Sequence, residues 1–116
     1  SCPPGSQIVA GIGEEICGYI GFRPPTRLPS NQHVLELNIA IHPKYQRQGV
    51  GRVLMDALLK FAAERGVRKL SLRVLGSNPG AIAFYKSCGF VEQGRLVEEF
   101  LINGTYVDDI LMWRKV

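Results

Sequence analysis

Alternation of apolar and polar residues predicts β-strands in the first third of the chain. Residues 7–12 and 16–22 read as two strands joined by the tight turn Gly13-Glu14-Glu15, a hairpin. Val34–Ile41 alternates most clearly and ends before Pro43. Successive strand residues point to opposite faces. One face is therefore apolar, with Leu35, Leu37, Ile39 and Ile41, and the other holds Glu36, Asn38 and Ala40.

A helical period follows in residues 50–65. Apolar side chains recur there at the three- and four-residue spacing of an amphipathic helix, namely Val50, Val53, Leu54, Ala57, Leu58, Phe61 and Ala62. Gly66 suits the left-handed residue that often follows a helix. Residues 67–75 alternate again and predict a strand.

The last third predicts a short helix and a second hairpin. Asn78-Pro79 supplies a cap and a first-turn proline for a helix at 80–87, which ends at Gly89. Residues 90–102 and 105–115 read as strands joined by Asn103-Gly104, a strong hairpin signal. The predicted order is β-β-β-α-β-α-β-β. It indicates an α/β (α+β) fold with a mixed sheet, parallel strands at its centre and hairpins at its edges.

Composition fits one globular domain spanning 1–116. Apolar residues make up 46% and charged residues 21% of the 116 residues. No apolar run approaches the roughly 20 residues that cross a bilayer. The net charge of +4 is scattered, which favours a small anionic ligand over a nucleic acid. The first six residues read as a loop, a remnant, or the point where a longer chain was cut.

The three cysteines are an odd number without paired spacing. This argues against a disulfide framework or a zinc site, and we expect no metal. Cys17 and Cys88 are expected in the core of a protein from a reducing cytoplasm.

The segment from Pro43 to Arg52 has the properties of a phosphate-binding loop. The first turn of a helix leaves backbone N–H groups without intrahelical partners and carries partial positive charge. Gly49 and Gly51 would let an anion approach the backbone, and Arg47 and Arg52 add charge. Two common phosphate motifs do not fit. A P-loop needs Lys followed by Ser or Thr where this chain has Arg52-Val53, and a dinucleotide fingerprint needs a third glycine.

The loop instead resembles the GNAT superfamily of N-acetyltransferases. Their signature is Arg or Gln, two residues, Gly, one residue, then Gly or Ala, and here it reads Gln46-Arg47-Gln48-Gly49-Val50-Gly51. After one intervening strand, the segment from Asn78-Pro79-Gly80-Ala81 to Tyr85-Lys86-Ser87-Cys88-Gly89-Phe90 is similar to the family's second block. The resemblance covers about residues 7 to 116. The family's usual first strand and helices are missing, so we expect either a truncated chain or a pocket completed in another way.

The resemblance implies that acetyl-coenzyme A lies between the strands at 36–41 and 69–75, a splayed parallel pair. Backbone groups of Ile39, Ala40 and Ile41 would contact the pantetheine, and the N–H near Ile39 would polarise the thioester carbonyl. The loop Gln46–Arg52 would hold the pyrophosphate. Asn78 would bind the pantetheine or cap its helix, two roles that we weigh equally.

Two residues are predicted to do the chemistry. Tyr85 matches the family's general acid, and its alternative role is a core tyrosine. Glu36 is the candidate base, and its alternative is a solvated strand carboxylate. Arg73 occupies the strand position where the ribosomal-protein branch has a glutamate. The acids Asp108 and Asp109 are other candidates for the base, and the favoured interpretation is that they complete an edge strand.

The predicted function is transfer of an acetyl group from acetyl-coenzyme A to a primary amine of a small molecule, such as an amino acid or polyamine. The alternatives are a non-catalytic acyl-coenzyme A binding module and a protein or peptide N-acetyltransferase. We expect no nucleic-acid or membrane partner, and a homodimer stays open.

Overall fold

A computed structural model of the chain describes residues 6–12 and 15–116. Gly13 and Glu14 of the predicted hairpin turn, and most of the predicted opening loop, lie outside those ranges. The chain divides into two compact units, Ser1–Leu70 with Val116, and Ser71–Lys115. No helix in the described ranges has the length and apolar character to cross a bilayer.

The first unit contains three antiparallel strands and one helix. The strands are β1 (Ser6–Ile12), β2 (Glu15–Arg23) and β3 (Val34–Ile41), in the order β1-β2-β3. The helix is α1 (Val50–Glu64), and short 3₁₀ turns cover Pro29–Asn31 and Pro43–Tyr45. Ile20 pairs with Ile39 and Phe22 with Leu37, so alternate side chains of the two strands share one face.

Helix α1 packs on the apolar face of these strands. The rings of Phe22 and Phe61 are 5.1 Å apart, and Leu54, Met55, Leu58 and Ala62 are the buried residues of the helix. Val53, which we predicted on this stripe, is 62% exposed, so that prediction is wrong. At 100° per residue, Leu58 falls near the centre of the buried arc and Val53 on the opposite side. The apolar stripe is real, but its centre is rotated from the predicted one.

The second unit contains most of β4 (Lys69–Leu75), helix α2 (Pro79–Ser87), and strands β5 (Val91–Ile102) and β6 (Thr105–Lys115). Its strand order is β4-β6-β5. Positive φ angles at Asn103 (49°) and Gly104 (78°) form the predicted hairpin turn between β5 and β6. Because β6 lies between two strands, the prediction that Asp108 and Asp109 complete an edge strand is wrong.

The predicted order of elements is confirmed, with small shifts of the boundaries. The strand predicted at 67–75 begins at Lys69, because the N–H of Val67 still closes α1 by donating to Ala62 O at 3.0 Å. Gly66 has the expected positive φ of 73°. The single domain and the splayed parallel pair stay predictions.

Candidate active site

The connection from β3 to α1 is a short and well-bonded turn. His42 accepts a hydrogen bond at Nδ1 from Lys44 N (3.2 Å), and Tyr45 N donates to His42 O (2.8 Å). The Gln46 side chain donates to Ile41 O at 3.4 Å, and that of Gln48 donates to Lys44 O at 3.1 Å. These bonds hold the end of β3 close to the start of α1.

The loop then enters the helix through two left-handed residues, Arg47 (φ 64°) and Gly49 (φ 80°). Gly49 is the N-cap and offers no side chain to the first turn, where Val53 N donates to Gly49 O at 3.1 Å. The earlier N–H groups of a helix have no intrahelical acceptor. At α1 no N-cap side chain accepts from these N–H groups, because the N-cap residue is a glycine.

The space in front of Gly49 is open. An ideal Cβ built there would meet no atom of the described residues within 4 Å. The first turn of α1 holds no acidic residue, while Arg47 and Arg52 are exposed cations beside it. Backbone donors, partial positive charge and open space suit an anion such as a pyrophosphate.

A buried tyrosine anchors the loop to the first hairpin. Tyr45 is 8% exposed, and its hydroxyl donates to Glu15 Oε2 at 2.6 Å. Lys44 Nζ lies 3.4 Å from the same carboxylate. These hydrogen bonds, first from Tyr45 and then from Lys44, hold the pKa of Glu15 below 4.5. The bond to Glu15, together with burial, raises the pKa of Tyr45 to about 12.

This anchor predicts how stability depends on pH. A lowered pKa of Glu15 means that the folded chain binds that proton less tightly than the unfolded chain does. Its contribution is present above the unfolded value of 4.5 and is lost as pH falls through the lowered pKa. The contribution of Tyr45 is present below 10 and is lost as pH rises toward about 12.

We therefore expect Tyr45→Phe to lower the urea midpoint at about pH 7, with the difference from wild type shrinking toward about pH 3. Tyr19→Phe is the matched control, because it removes a hydroxyl from an exposed tyrosine of the same unit. A difference that stays constant over this range would mean that the carboxylate does not carry the effect.

The predicted residues of β3 divide between its two faces. Ile39 and Ile41 are partly buried on the face that packs on α1, and Ala40 is exposed. Glu36 is partly buried on the other face, opposite Arg23 of β2. That face carries most of the lining of a pocket of about 430 Å³, formed by Ser6, Gln7, Tyr19, Gly21, Phe22, Arg23, Glu36, Leu37 and Asn38.

The second unit carries Asn78 and Tyr85. Asn78 Oδ1 accepts from Ala81 N at 3.1 Å, so the predicted helix cap is confirmed. Tyr85 is 8% exposed, with its ring 5.5 Å from Phe84 and 6.0 Å from Phe90. Burial, with a smaller effect of Cys88, raises the pKa of Tyr85 to about 12. The candidate acid therefore holds its proton throughout the neutral range.

An ion pair in the second unit escaped the sequence analysis. Arg73 Nε lies 2.8 Å from Asp109 Oδ2, and the two side chains are 49% and 6% exposed. Asp108, the residue before Asp109, instead accepts hydrogen bonds from Arg95 Nη1 (3.0 Å) and Glu98 N (2.9 Å). No spacing in the sequence signals the first pair, because its members lie on strands far apart in the chain.

The strand, the two-glycine loop and the helix form a site that suits an anion, and comparison with known proteins gives the family of the chain. A model of the acetyltransferase (GNAT) family matches residues 1–90. The chain therefore belongs to the GNAT acetyltransferase family, as its two motifs predicted.

Three curated relatives act on different amines. The spermidine N(1)-acetyltransferase of Vibrio cholerae is 43% identical over 74 residues, 63% of this chain and 43% of that protein. The ribosomal protein bS18-alanine N-acetyltransferase of Escherichia coli K12 is 53% identical over 55 residues, 47% of this chain and 37% of that protein. The L-amino acid N-acetyltransferase AaaT of the same strain is 31% identical over 109 residues, 93% and 67% of the two chains. The chain thus spans less than half of the first two.

Solved structures share the fold. The smu.2055 protein of Streptococcus mutans is 34% identical with a TM-score of 0.88, over 94% of this chain and 68% of that one. A GNAT superfamily phosphinothricin acetyltransferase of Sinorhizobium meliloti, in complex with acetyl-coenzyme A, has a TM-score of 0.86 over 95% and 60% of the chains. At 22% identity the second likeness shows the fold alone. The predicted GNAT fold is confirmed.

Proposed function

We propose that the chain is an N-acetyltransferase that moves an acetyl group from acetyl-coenzyme A to a primary amine of a small molecule. The observation that carries the proposal is the open helix start at Gly49, in a chain of the acetyltransferase family. The coenzyme supplies an activated acetyl thioester. The residues of the chain bind the coenzyme, orient the amine, take a proton from the amine and provide one for the departing sulfur.

The loop Gln46–Arg52 binds the pyrophosphate. The first N–H groups of α1 have no intrahelical acceptor and are available to the pyrophosphate, and the exposed arginine at 47 adds charge-assisted donors. Gln46 and Gln48 act through their side-chain bonds to Ile41 O and Lys44 O, which fix the loop. The match of residues 1–90 to the acetyltransferase family supports acetyl-coenzyme A as this ligand.

The backbone of Ile39, Ala40 and Ile41 guides the pantetheine. Residues of β3 pair with β2 on one side, and in an extended strand alternate N–H and C=O groups point away from that partner. Where such groups are left unpaired by a neighbouring strand, a ligand arm can pair with them as an added strand. The N–H near Ile39 is the donor that we assign to the thioester carbonyl. Asn78 already caps α2, which favours its structural role.

Tyr85 is the residue that we assign to the departing sulfur. A thiol has a reference pKa near 8.5, and the pKa of Tyr85 is raised to about 12. Full proton transfer to the sulfur is therefore uphill by about 3.5 pKa units, or roughly 5 kcal/mol. Tyr85 acts best as a hydrogen-bond donor that stabilises the charge growing on the sulfur, with transfer completed late.

Glu36 is the residue that we assign to the incoming amine. It is a carboxylate at the edge of the 430 Å³ pocket, and amine acceptors are cationic near neutral pH. A carboxylate there attracts the ammonium group and can take its proton through a water. Arg23, opposite Glu36 in the register, also lines the pocket and moderates its negative charge.

Thiol release from acetyl-coenzyme A, measured across amino acids, polyamines and aromatic amines, tests the proposal. Turnover with any small primary amine, accompanied by the mass of the acetylated product, supports it. Coenzyme binding without turnover of any amine would instead make the chain a non-catalytic binding module.

A peptide acceptor is the second candidate. It is favoured by the 53% identity over 55 residues to the bS18-alanine enzyme. Peptides with free N-terminal alanine belong in the same panel, and a kcat/KM for them above that of every small amine would replace the small-molecule assignment.

A further inference from the structure

The Arg73–Asp109 pair joins one buried and one half-exposed side chain. Asp109 is 4% exposed in the middle of β6, opposite Leu96 of β5. A buried carboxylate needs a partner, and Arg73 Nε provides it at 2.8 Å. The carboxylate therefore holds the arginine at one edge of its guanidinium and restricts its rotamer.

An arginine held at Nε still has two Nη groups with donors in a fixed plane. The side chain of Arg73 is 49% exposed, so it is accessible to a ligand from solvent. A planar fork whose orientation is fixed suits a carboxylate, which it can bind through two parallel hydrogen bonds. Asp109 thus prepares the guanidinium for a second anionic partner.

Arg73 and the candidate acid Tyr85 lie on consecutive elements of the second unit, β4 and α2. Only residues 76–78 separate β4 from α2, and Asn78 N donates to Leu75 O at 3.0 Å, so a tight turn joins the two elements. Tyr85 is six residues into α2, about 9 Å from its start at 1.5 Å per residue. Arg73 is two residues, about 7 Å, from the end of β4.

We propose that Arg73 binds a carboxylate of the acceptor and that Asp109 positions its guanidinium. The inference rests on the proposed acetyl transfer and narrows its substrate class to amines that also carry a carboxylate, such as amino acids. A polyamine lacks a partner for Arg73 and brings additional positive charge toward it. In this interpretation Arg73 determines specificity and is not a catalytic residue.

Pairs of acceptor amines that differ only by a carboxylate measure the contribution of that group to recognition. Phenylalanine and phenethylamine differ only in that group, as do lysine and cadaverine. For the wild-type chain we expect kcat/KM to favour the acid of each pair by about 10- to 100-fold, the range for a hydrogen bond to a charged group.

Two variants distinguish recognition from support of the fold. Arg73→Lys keeps a charge beside Asp109 but loses the fork, and should retain part of the preference. The double variant Arg73→Gln with Asp109→Asn removes both charges together, so no unpaired buried carboxylate remains. It should bring the ratio within each pair close to one, mainly through the KM of the acid. Thermal melting and coenzyme binding establish that each variant is folded.

Equal use of both members of each pair by the wild-type chain, with clear turnover, would overturn the inference and leave the acetyltransferase assignment intact. A preference that survives in the folded double variant would overturn it as well. Absence of turnover with every amine would remove the acetyltransferase assignment and this inference with it.

Discussion

Gly49→Glu is expected to weaken coenzyme A binding by at least about 100-fold, which corresponds to about 2.7 kcal/mol. The glutamate would place a carboxylate in the open space where we assign the pyrophosphate. The negative charges of the carboxylate and the pyrophosphate would then repel each other at close range. The glutamate would also occupy the approach to the N–H groups of the first turn. Isothermal titration calorimetry with coenzyme A measures the loss.

Gly66→Glu is the matched control for this change. Gly66 has a similar left-handed φ (73° against 80° at Gly49), and a Cβ there also meets no described atom within 4 Å. Both variants therefore carry the same backbone strain and the same added charge. We expect Gly66→Glu to bind coenzyme A like the wild type. Equal losses in the two variants would mean that strain or net charge, rather than the loop, causes the effect.

Tyr85→Phe is expected to lower kcat by about 100- to 1,000-fold while the coenzyme Kd changes by less than about threefold. General acid assistance is worth about 100- to 10,000-fold, and the high pKa of Tyr85 places this case at the lower end. The phenyl ring keeps the packing against Phe84 and Phe90, so the fold should tolerate the loss of the hydroxyl. Single-turnover rates with the best amine of the panel measure the chemical step.

Tyr106→Phe provides the control for a lost hydroxyl. Tyr106 lies in the same unit but is 61% exposed on β6, and nothing assigns it to binding or chemistry. Its kcat should equal that of the wild type. An unchanged kcat in Tyr85→Phe would remove Tyr85 from the mechanism, whereas equal losses in both variants would indicate a general effect on the unit.

The elements with a strong local signal were predictable from sequence. The start of α1 at Val50 follows from a glycine before an amphipathic period, and the turn at Asn103-Gly104 follows from two residues that tolerate positive φ. Such signals are contained in a few neighbouring residues. The family motifs extended them to the order of the whole chain.

The exact face of α1 was not predictable from the stripe alone. Both Val53 and Met55 are apolar, and either fits a stripe that includes Leu54 and Leu58. Packing on β1, β2 and β3 selects Met55, which is fully buried, and leaves Val53 exposed. The sequence gives the period of a helix more reliably than its rotation.

Contacts between residues far apart in the chain could not be predicted from the sequence pattern either. Glu15 and Tyr45 are 30 positions apart, and nothing in their local sequence indicates a 2.6 Å hydrogen bond. Asp109 looked like a polar residue of an edge strand, because strand order in space does not follow strand order in sequence. Both pairs depend on tertiary topology, which a pattern of single residues does not contain.

A crystal structure of the chain grown with coenzyme A tests the assignment of the loop most directly. We expect the two linked phosphates within hydrogen-bond distance of the backbone nitrogens between Gln48 and Arg52, beside Gly49. A coenzyme bound elsewhere, with that helix start occupied only by water or by the chain's own side chains, would contradict the assignment of the loop and the mechanism built on it.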